Sequence, residues 1–101
     1  MSDKQEFIYV IRLQPAYVDR STWTDRENTI VEEHFQYLLQ LKEAGELILA
    51  GRTETYDEKT FGIVILRVDN ELEARLIMEQ DPAVSSQLMI SELYPYRIAV
   101  M

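Results

Sequence analysis

The chain has 101 residues, 47% of them hydrophobic and 28% charged, which is the size and composition of one folded domain, residues 1–101, rather than of a disordered segment. Ten basic and eighteen acidic residues give a formal net charge of -8, which disfavours binding to nucleic acid or to an anionic membrane surface. The absence of cysteine excludes disulfides, thiolate catalysis and cysteine-ligated metal centres, and a single histidine excludes a multi-histidine metal site.

The first half of the chain predicts a strand, a long helix and a second strand. Residues 7–13 are rich in β-branched and aromatic side chains, which is typical of a strand. Thr24 and Glu27 have the spacing of a capping box, so a helix of about five turns should begin there and end before Gly45. The short apolar stretch Leu47–Arg52 follows directly and predicts a buried strand.

The second half of the chain predicts a hairpin and a second helix. Residues 61–68 carry the strongest strand pattern, and the polar residues 53–60 before them are few enough to form the turn of an antiparallel hairpin. Asp69 or Asn70 can cap a helix that ends at Asp81, because the residue before a proline is pushed out of helical geometry. This helix carries the apolar residues Leu72, Leu76, Ile77 and Met78.

A last strand completes the order of elements. Residues 88–100 alternate less regularly, and Pro95, which has no N–H to donate, predicts a kink or an edge position there. The order is then β-α-β-β-α-β, the α+β, ferredoxin-like pattern in which two helices pack on one face of an antiparallel sheet.

The predicted strands are apolar on both faces. The central strand at residues 61–68 presents one apolar set to each side of the sheet: Phe61, Ile63 and Ile65 against Val64, Leu66 and Val68. Two helices can cover only one face, and large exposed apolar patches are rare on soluble monomers. We therefore expect a homodimer in which a second copy covers the other face about a two-fold axis.

His34 is the first candidate for chemistry, because imidazole is the side chain that ionises near neutral pH. Its spacing from Ile30 and Leu38 places it on the apolar face of the first helix. One interpretation is a core histidine with a satisfied hydrogen bond, and the other is a general acid and base that has a partner. Asp81 is the candidate partner, since the end of the second helix can approach the middle of the first, although Asp81-Pro82 can also serve only to end a helix.

Two arginines and three tyrosines are further candidates. Arg12 and Arg52 lie in strands expected to be half-buried, where a guanidinium needs a compensating anion, either an internal carboxylate or an anionic substrate. Tyr9, Tyr94 and Tyr96 can line a pocket or belong to the core or a dimer interface. The sequence contains no phosphate-binding glycine loop, nucleophile elbow or dinucleotide fingerprint.

The sequence also indicates where in the cell the protein is expected. No apolar run approaches the roughly 20 residues that a transmembrane helix needs. The N-terminal residues 1–6 are charged and lack the apolar core of a signal peptide. We therefore expect a cytoplasmic protein.

Four stretches, in this order and spacing, resemble the YCII-related domain (YciI-like) family. They are residues 34–41 (HFQYLLQL), residues 43–51 (EAGELILAG), the pair Asp81-Pro82 and residues 92–98 (ELYPYRI). The resemblance covers nearly the whole chain. It implies a ferredoxin-like subunit of the dimeric α+β barrel type that dimerises through its sheets. It also implies a His and Asp pair facing a pocket, which falls on His34 and Asp81.

The resemblance further implies a type of reaction. Better-understood members are similar to muconolactone isomerases and to a dehydrochlorinase that acts on chlorinated hydroxyquinols, which implies a cofactor-independent isomerase or lyase with no metal. The family often has an aromatic residue and then a glycine after Asp-Pro, whereas residues 83–87 here are AVSSQ, which implies a wider or more polar pocket.

Two hypotheses follow. In the first, a homodimer holds a small, anionic or enolisable molecule. His34 moves a proton, Asp81 fixes the tautomer and charge of the imidazole, and Arg12 and Arg52 bind the substrate. In the second, the protein is a non-catalytic dimeric module that binds a small metabolite or another protein, and His34 and Asp81 form a structural pair.

Overall fold

The computed structural model describes residues 3–101 and has the predicted order of elements. Met1 and Ser2 of the predicted domain lie outside the described residues. The strands are β1 (Gln5–Leu13), β2 (Leu47–Arg52), β3 (Gly62–Val68) and β4 (Met89–Tyr96), and the helices are α1 (Asp25–Glu43), α2 (Glu71–Gln80) and α3 (Pro82–Ser85). Two short 3-10 segments, Pro15–Tyr17 and Arg20–Thr22, connect β1 to α1. The sequence did not predict α3 or these two segments.

The strands form one antiparallel sheet in the order β2-β3-β1-β4. This is the order of the ferredoxin-like fold, so the α+β prediction is confirmed. The hairpin between β2 and β3 is confirmed as well. Strand β4 is an edge strand, which accounts for Pro95 in its interior, opposite Phe7 of β1, because an edge strand needs only one of its sides for hydrogen bonding.

Local signals fix the ends of α1. The backbone N–H of Thr24 donates to Glu27 Oε1 at 2.7 Å, and the Thr24 side chain accepts from the first turn, so the predicted capping box is present. The chain leaves the helix through Gly45, whose φ of 77° lies in the left-handed region that favours glycine. These two ends place His34 near the middle of α1.

The core lies between the sheet and the helices. Its largest contributions come from β1 and β3: Phe7, Tyr9 and Ile11 with Val64, Leu66 and Val68. Helix α2 adds Ala74, Ile77 and Met78, which share one side of the helix. Leu72 and Leu76 are also apolar residues of α2, but they are 67% and 46% exposed. They lie on the part of the helix surface that does not face the sheet.

The other side of the sheet, which we call the outer face, faces away from the helices. Its apolar side chains are Ile8, Val10, Leu49, Ile63, Ile65 and Ile90. The prediction that the strands are apolar on both faces is therefore confirmed. Leu49 is 46% exposed and Ile90 is 51% exposed, so residues 3–101 of one chain leave this face open to solvent.

One carboxyl outside the core gives a prediction about stability. Partial burial raises the pKa of Glu46, and the neighbouring Glu73 carboxyl raises it further. An acid with a raised pKa in the folded state stabilises the fold when protonated, and this stability is lost as the pH rises through the folded pKa. We expect Glu46→Gln to raise the melting temperature at about pH 7.5, and the gain to vanish near pH 4, close to the ordinary value for glutamate.

Thermal denaturation at the two pH values checks this expectation. Glu79→Gln, at an exposed position of α2, is the control for simple loss of one negative charge from an acidic protein. If Glu46→Gln raised the melting temperature equally at both pH values, or if the control raised it equally, the contact between Glu46 and Glu73 would not be the cause of the stabilisation.

Candidate functional site

The structure brings His34 and Asp81 into direct contact. His34 Nδ1 lies 2.7 Å from Asp81 Oδ1 and 2.9 Å from Oδ2. The His34 side chain is 14% exposed and the Asp81 side chain is fully buried. His34 lies in the middle of α1 and Asp81 at the junction of α2 and α3. The end of α2 therefore approaches the middle of α1, as expected for this fold.

The local sequence explains the position of the Asp81 carboxylate. The residue before Pro82 takes an extended conformation, here φ -61° and ψ 125°, and so ends α2. The same residue is the N-cap of α3, where its Oδ1 accepts a hydrogen bond from the Ala83 N–H at 2.9 Å. Proline at the first position of a helix, after an aspartate cap, is a common start of a helix, so Asp81-Pro82 both ends α2 and begins α3.

Tyr9 is a third member of the site. The sequence did not predict its contact with Asp81. Its hydroxyl donates to Asp81 Oδ2 at 2.7 Å from a fully buried position on β1. Burial, reinforced by the negative charge of Asp81, raises the pKa of Tyr9 well above its usual value, so the phenol keeps its proton. Of the three tyrosines singled out, Tyr9 belongs to the core, whereas Tyr94 and Tyr96 are exposed on the outer face.

The hydrogen bonds around Asp81 define the role of each imidazole nitrogen. The carboxylate accepts from the Tyr9 hydroxyl and the Ala83 N–H, and an ionised carboxylate can only accept. The hydrogen of the contact with His34 therefore belongs to Nδ1. In the neutral ring Nε2 is then the basic nitrogen, and it has no hydrogen-bond partner within residues 3–101.

A second contact holds α1 against α2 close to the pair. The Tyr37 hydroxyl donates to the Ile77 carbonyl oxygen at 2.7 Å. Burial, with a contribution from the Asp81 charge, raises the pKa of Tyr37 to about 12, so it too stays protonated. Two connections one turn apart thus fix the position of His34 relative to Asp81.

His34 lines a cavity of about 450 Å³ between α1 and the sheet. The wall around the imidazole is mainly apolar and includes Val31, Phe35, Leu38, Leu47 and Met89. Asp81 and Tyr9 are not part of the wall, so they support the imidazole from behind. The imidazole is thus a titratable ring that is held by a buried carboxylate and faces an apolar cavity. This arrangement is typical of a small-molecule site.

The two arginines predicted to bind substrate, Arg12 and Arg52, are more exposed than expected. Both border the cavity, but both are exposed, so the expectation that they are half-buried is wrong. Arg12 is exposed because it lies on the outer face, opposite Ile90 in the register, and Arg52 is the last residue of the edge strand β2. Within residues 3–101 neither guanidinium has an ion pair with a carboxylate.

Their side chains also take different directions. Arg12 occupies an outer-face position in the register and lies over the Phe61 ring, with 5.0 Å to the ring centroid. Arg52 lies over the Tyr56 ring at 5.5 Å and donates to the Thr53 carbonyl oxygen at 3.3 Å. Both arginines therefore line the cavity, but they pack on different aromatic rings.

Two further properties concern residues 3–101 as a whole. In this range no group of three His, Asp or Glu side chains is placed to hold a metal ion. Nor does the range contain a helix with the length and apolar character needed to cross a membrane.

The fold is that of a ferredoxin-like α+β subunit, with a four-stranded antiparallel sheet and helices on one face. Its histidine–aspartate pair lies beside a cavity that is a candidate small-molecule site. The YCII-related domain family matches residues 6–96, and the chain belongs to this family. The resemblance noted in the sequence is thereby confirmed. No curated protein matches the chain.

Two solved structures are similar in fold. One is the 5-chloro-2-hydroxyhydroquinone dehydrochlorinase of Burkholderia phenoliruptrix in complex with 2,5-dihydroxybenzoquinone, with a TM-score of 0.69 at 16% identity over 91% of this chain and 93% of that one. The other is an uncharacterized protein of Thermotoga maritima, with a TM-score of 0.56 at 15% identity over 94% of this chain and 100% of that one. At these identities the likeness shows the shared fold.

Proposed function

We propose that this protein is a proton-transfer enzyme, an isomerase or a lyase, acting on a small anionic molecule. The observation that carries the proposal is the arrangement of His34. Its Nδ1 is held at 2.7 Å by a buried carboxylate, and its ring lines an apolar cavity with Nε2 free. An imidazole held in this way presents one nitrogen as a base and has a counter-charge ready for the imidazolium that forms.

The proposed step begins with Nε2 taking a proton from an acidic C–H of the substrate. The electron pair of that bond then forms a new π bond within the substrate. In an isomerisation the electron pair of an adjacent π bond shifts to a conjugated atom of the substrate, which then takes the proton back from the imidazolium. In an elimination the bond from the adjacent carbon to a leaving group breaks, the leaving group departs with the electron pair of that bond, and the imidazolium releases its proton to solvent. Asp81 stabilises the imidazolium and Tyr9 holds Asp81, so both are positioning residues. The dehydrochlorinase among the similar structures makes elimination of chloride a candidate for this second course.

The proposal includes a homodimer in which two outer faces pack about a two-fold axis. Support comes from the apolar side chains of that face, among them the exposed Leu49 and Ile90. Contiguous apolar surface of this kind on a soluble subunit marks an interaction site, and two-fold association is the commonest way to cover it.

The alternative is a non-catalytic binding module in which His34 and Asp81 form a structural pair. The observation that favours it is the complete burial of Asp81, whose contacts link β1, α1 and α3. A residue that connects three elements contributes to the stability of the fold whether or not the neighbouring imidazole performs chemistry.

His34→Gln separates the two possibilities. The glutamine amide can still donate to Asp81, but it cannot take up a proton in the neutral pH range. In deuterium oxide with a panel of small 2-oxo acids and lactones, we expect the wild type to exchange a C–H for deuterium in at least one compound. The variant should slow that exchange by about 10²- to 10⁴-fold. Proton NMR follows the exchange, and thermal denaturation follows stability.

Lys42→Gln, at an exposed position in the last turn of α1, is the matched control and should leave the exchange unchanged. Exchange that proceeds at the wild-type rate in His34→Gln would contradict the enzyme proposal. A variant that loses stability while the wild type exchanges no compound of the panel would favour the structural alternative.

A further inference from the structure

A pair of arginines that the sequence did not connect lies at the edge of the cavity. Arg20, in the 3-10 segment Arg20–Thr22, and Arg52, at the end of β2, both line it. Their guanidinium carbons lie 5.7 Å and 5.5 Å from the centroid of the same Tyr56 ring. Arg20 also lies over the Trp23 ring at 5.1 Å. Two cations that line the cavity thus pack on aromatic rings and share the ring of Tyr56.

Within the described residues, Arg20 and Arg52 lack the carboxylate partner that three of the other five arginines have. Arg26, Arg67 and Arg75 each have a carboxylate oxygen within 3.8 Å. Within the described part of the chain Arg20 and Arg52 have none, although the protein contains eighteen acidic residues. Both guanidinium groups line the same cavity, so an anion bound there would be attracted by each of them.

We propose that Arg20 and Arg52 bind the carboxylate of a small substrate whose apolar body extends towards His34. This inference rests on the proposed function, because it names the substrate class of the same cavity. The guanidinium fork matches a carboxylate, and the wall beyond it, with Val31, Phe35 and Leu38, suits an apolar or planar body. Arg20 replaces Arg12 in this role, since Arg12 has an outer-face position in the register.

Benzoate and its uncharged analogue benzamide are the probes. Because His34 is the only histidine, its ring protons give isolated NMR signals that report binding in this cavity. We expect benzoate to bind more tightly than benzamide by at least about tenfold. Arg20→Gln and Arg52→Gln should each weaken benzoate by about tenfold and leave benzamide unchanged. Arg97→Gln is the matched control, an exposed arginine without a carboxylate partner in residues 3–101 that does not line the cavity.

Each other result overturns the inference. Equal affinity for benzoate and benzamide, or no shift of the His34 signals by benzoate at tens of millimolar, would show that the cavity does not select a carboxylate. An equal loss in Arg97→Gln would show an effect of net charge alone. Inorganic phosphate that binds as tightly as benzoate would show that the apolar wall plays no part.

The two proposals fail separately. His34→Gln retains both arginines, so benzoate binding to it, followed by backbone amide signals, should be preserved. Loss of carboxylate selectivity leaves the deuterium exchange test standing, whereas unchanged exchange in His34→Gln removes the enzyme proposal and leaves the anion site standing.

Discussion

Asp81→Ala is expected to lower the free energy of unfolding by about 3 kcal/mol, the sum of an orphaned buried hydroxyl and a lost helix cap. The substitution leaves the fully buried Tyr9 hydroxyl without an acceptor and removes the cap at the Ala83 N–H. It also frees the His34 ring, which then no longer has a fixed tautomer. For a domain of this size the melting temperature should fall by roughly 10 to 25 °C.

Asp19→Ala is the matched control for Asp81→Ala. Asp19 also caps a short helical segment, accepting from the Ser21 N–H at 3.0 Å, but it is exposed. Its removal leaves no buried group unsatisfied, so its effect on the melting temperature should be much smaller. If the two variants lose the same stability, the buried network around Asp81 does not stabilise the fold as described.

A double-mutant cycle with Tyr9→Phe tests the network directly. Tyr9→Phe removes the hydroxyl that Asp81→Ala leaves unsatisfied, so the double variant should lose less stability than the sum of the single ones. Chemical denaturation of the four proteins gives the interaction free energy. Additive losses would show that Tyr9 and Asp81 do not act together.

Local signals made most of the fold predictable from the sequence. The Thr24 to Glu27 spacing and Gly45 give both ends of α1, because capping depends on residues close together in the chain. The alternation within β3 gives its two faces for the same reason. The burial of Arg12 and Arg52 was predicted wrongly, because Arg12 lies on the face that no helix covers and Arg52 ends an edge strand, and strand order is not a local property of the sequence.

The site was predictable only in part. His34 and Asp81 were singled out by residue type and helix position, but their contact joins residues 47 positions apart and depends on the packing of α1 on α2. Tyr9 lies 72 positions from Asp81, and its role depends on the depth of that carboxylate in the core. Arg20 stands in a polar connection without periodicity, so nothing in the sequence linked it to Arg52.

Val10→Lys is expected to separate the proposed homodimer into monomers. Val10 lies on the central strand β1, on the outer face, between Ile63 of β3 and Glu92 of β4. In a two-fold dimer the substitution occurs on both subunits, so two ammonium groups lose their water in one interface. This desolvation costs several kcal/mol, and we expect the dimer dissociation constant to rise by roughly a thousandfold or more.

Sedimentation equilibrium measures this change, with a subunit mass of 11.9 kDa as the reference. In a monomer the lysine side chain is open to solvent and faces the Glu92 carboxylate, so circular dichroism should show a folded variant. Leu72→Lys, at a 67% exposed position of α2 on the helix side, makes the same chemical change away from the outer face and should remain dimeric. A wild type that is monomeric at hundreds of micromolar would mean that the outer face does not bind a second copy. A dimeric Val10→Lys would mean that the subunits meet through another surface.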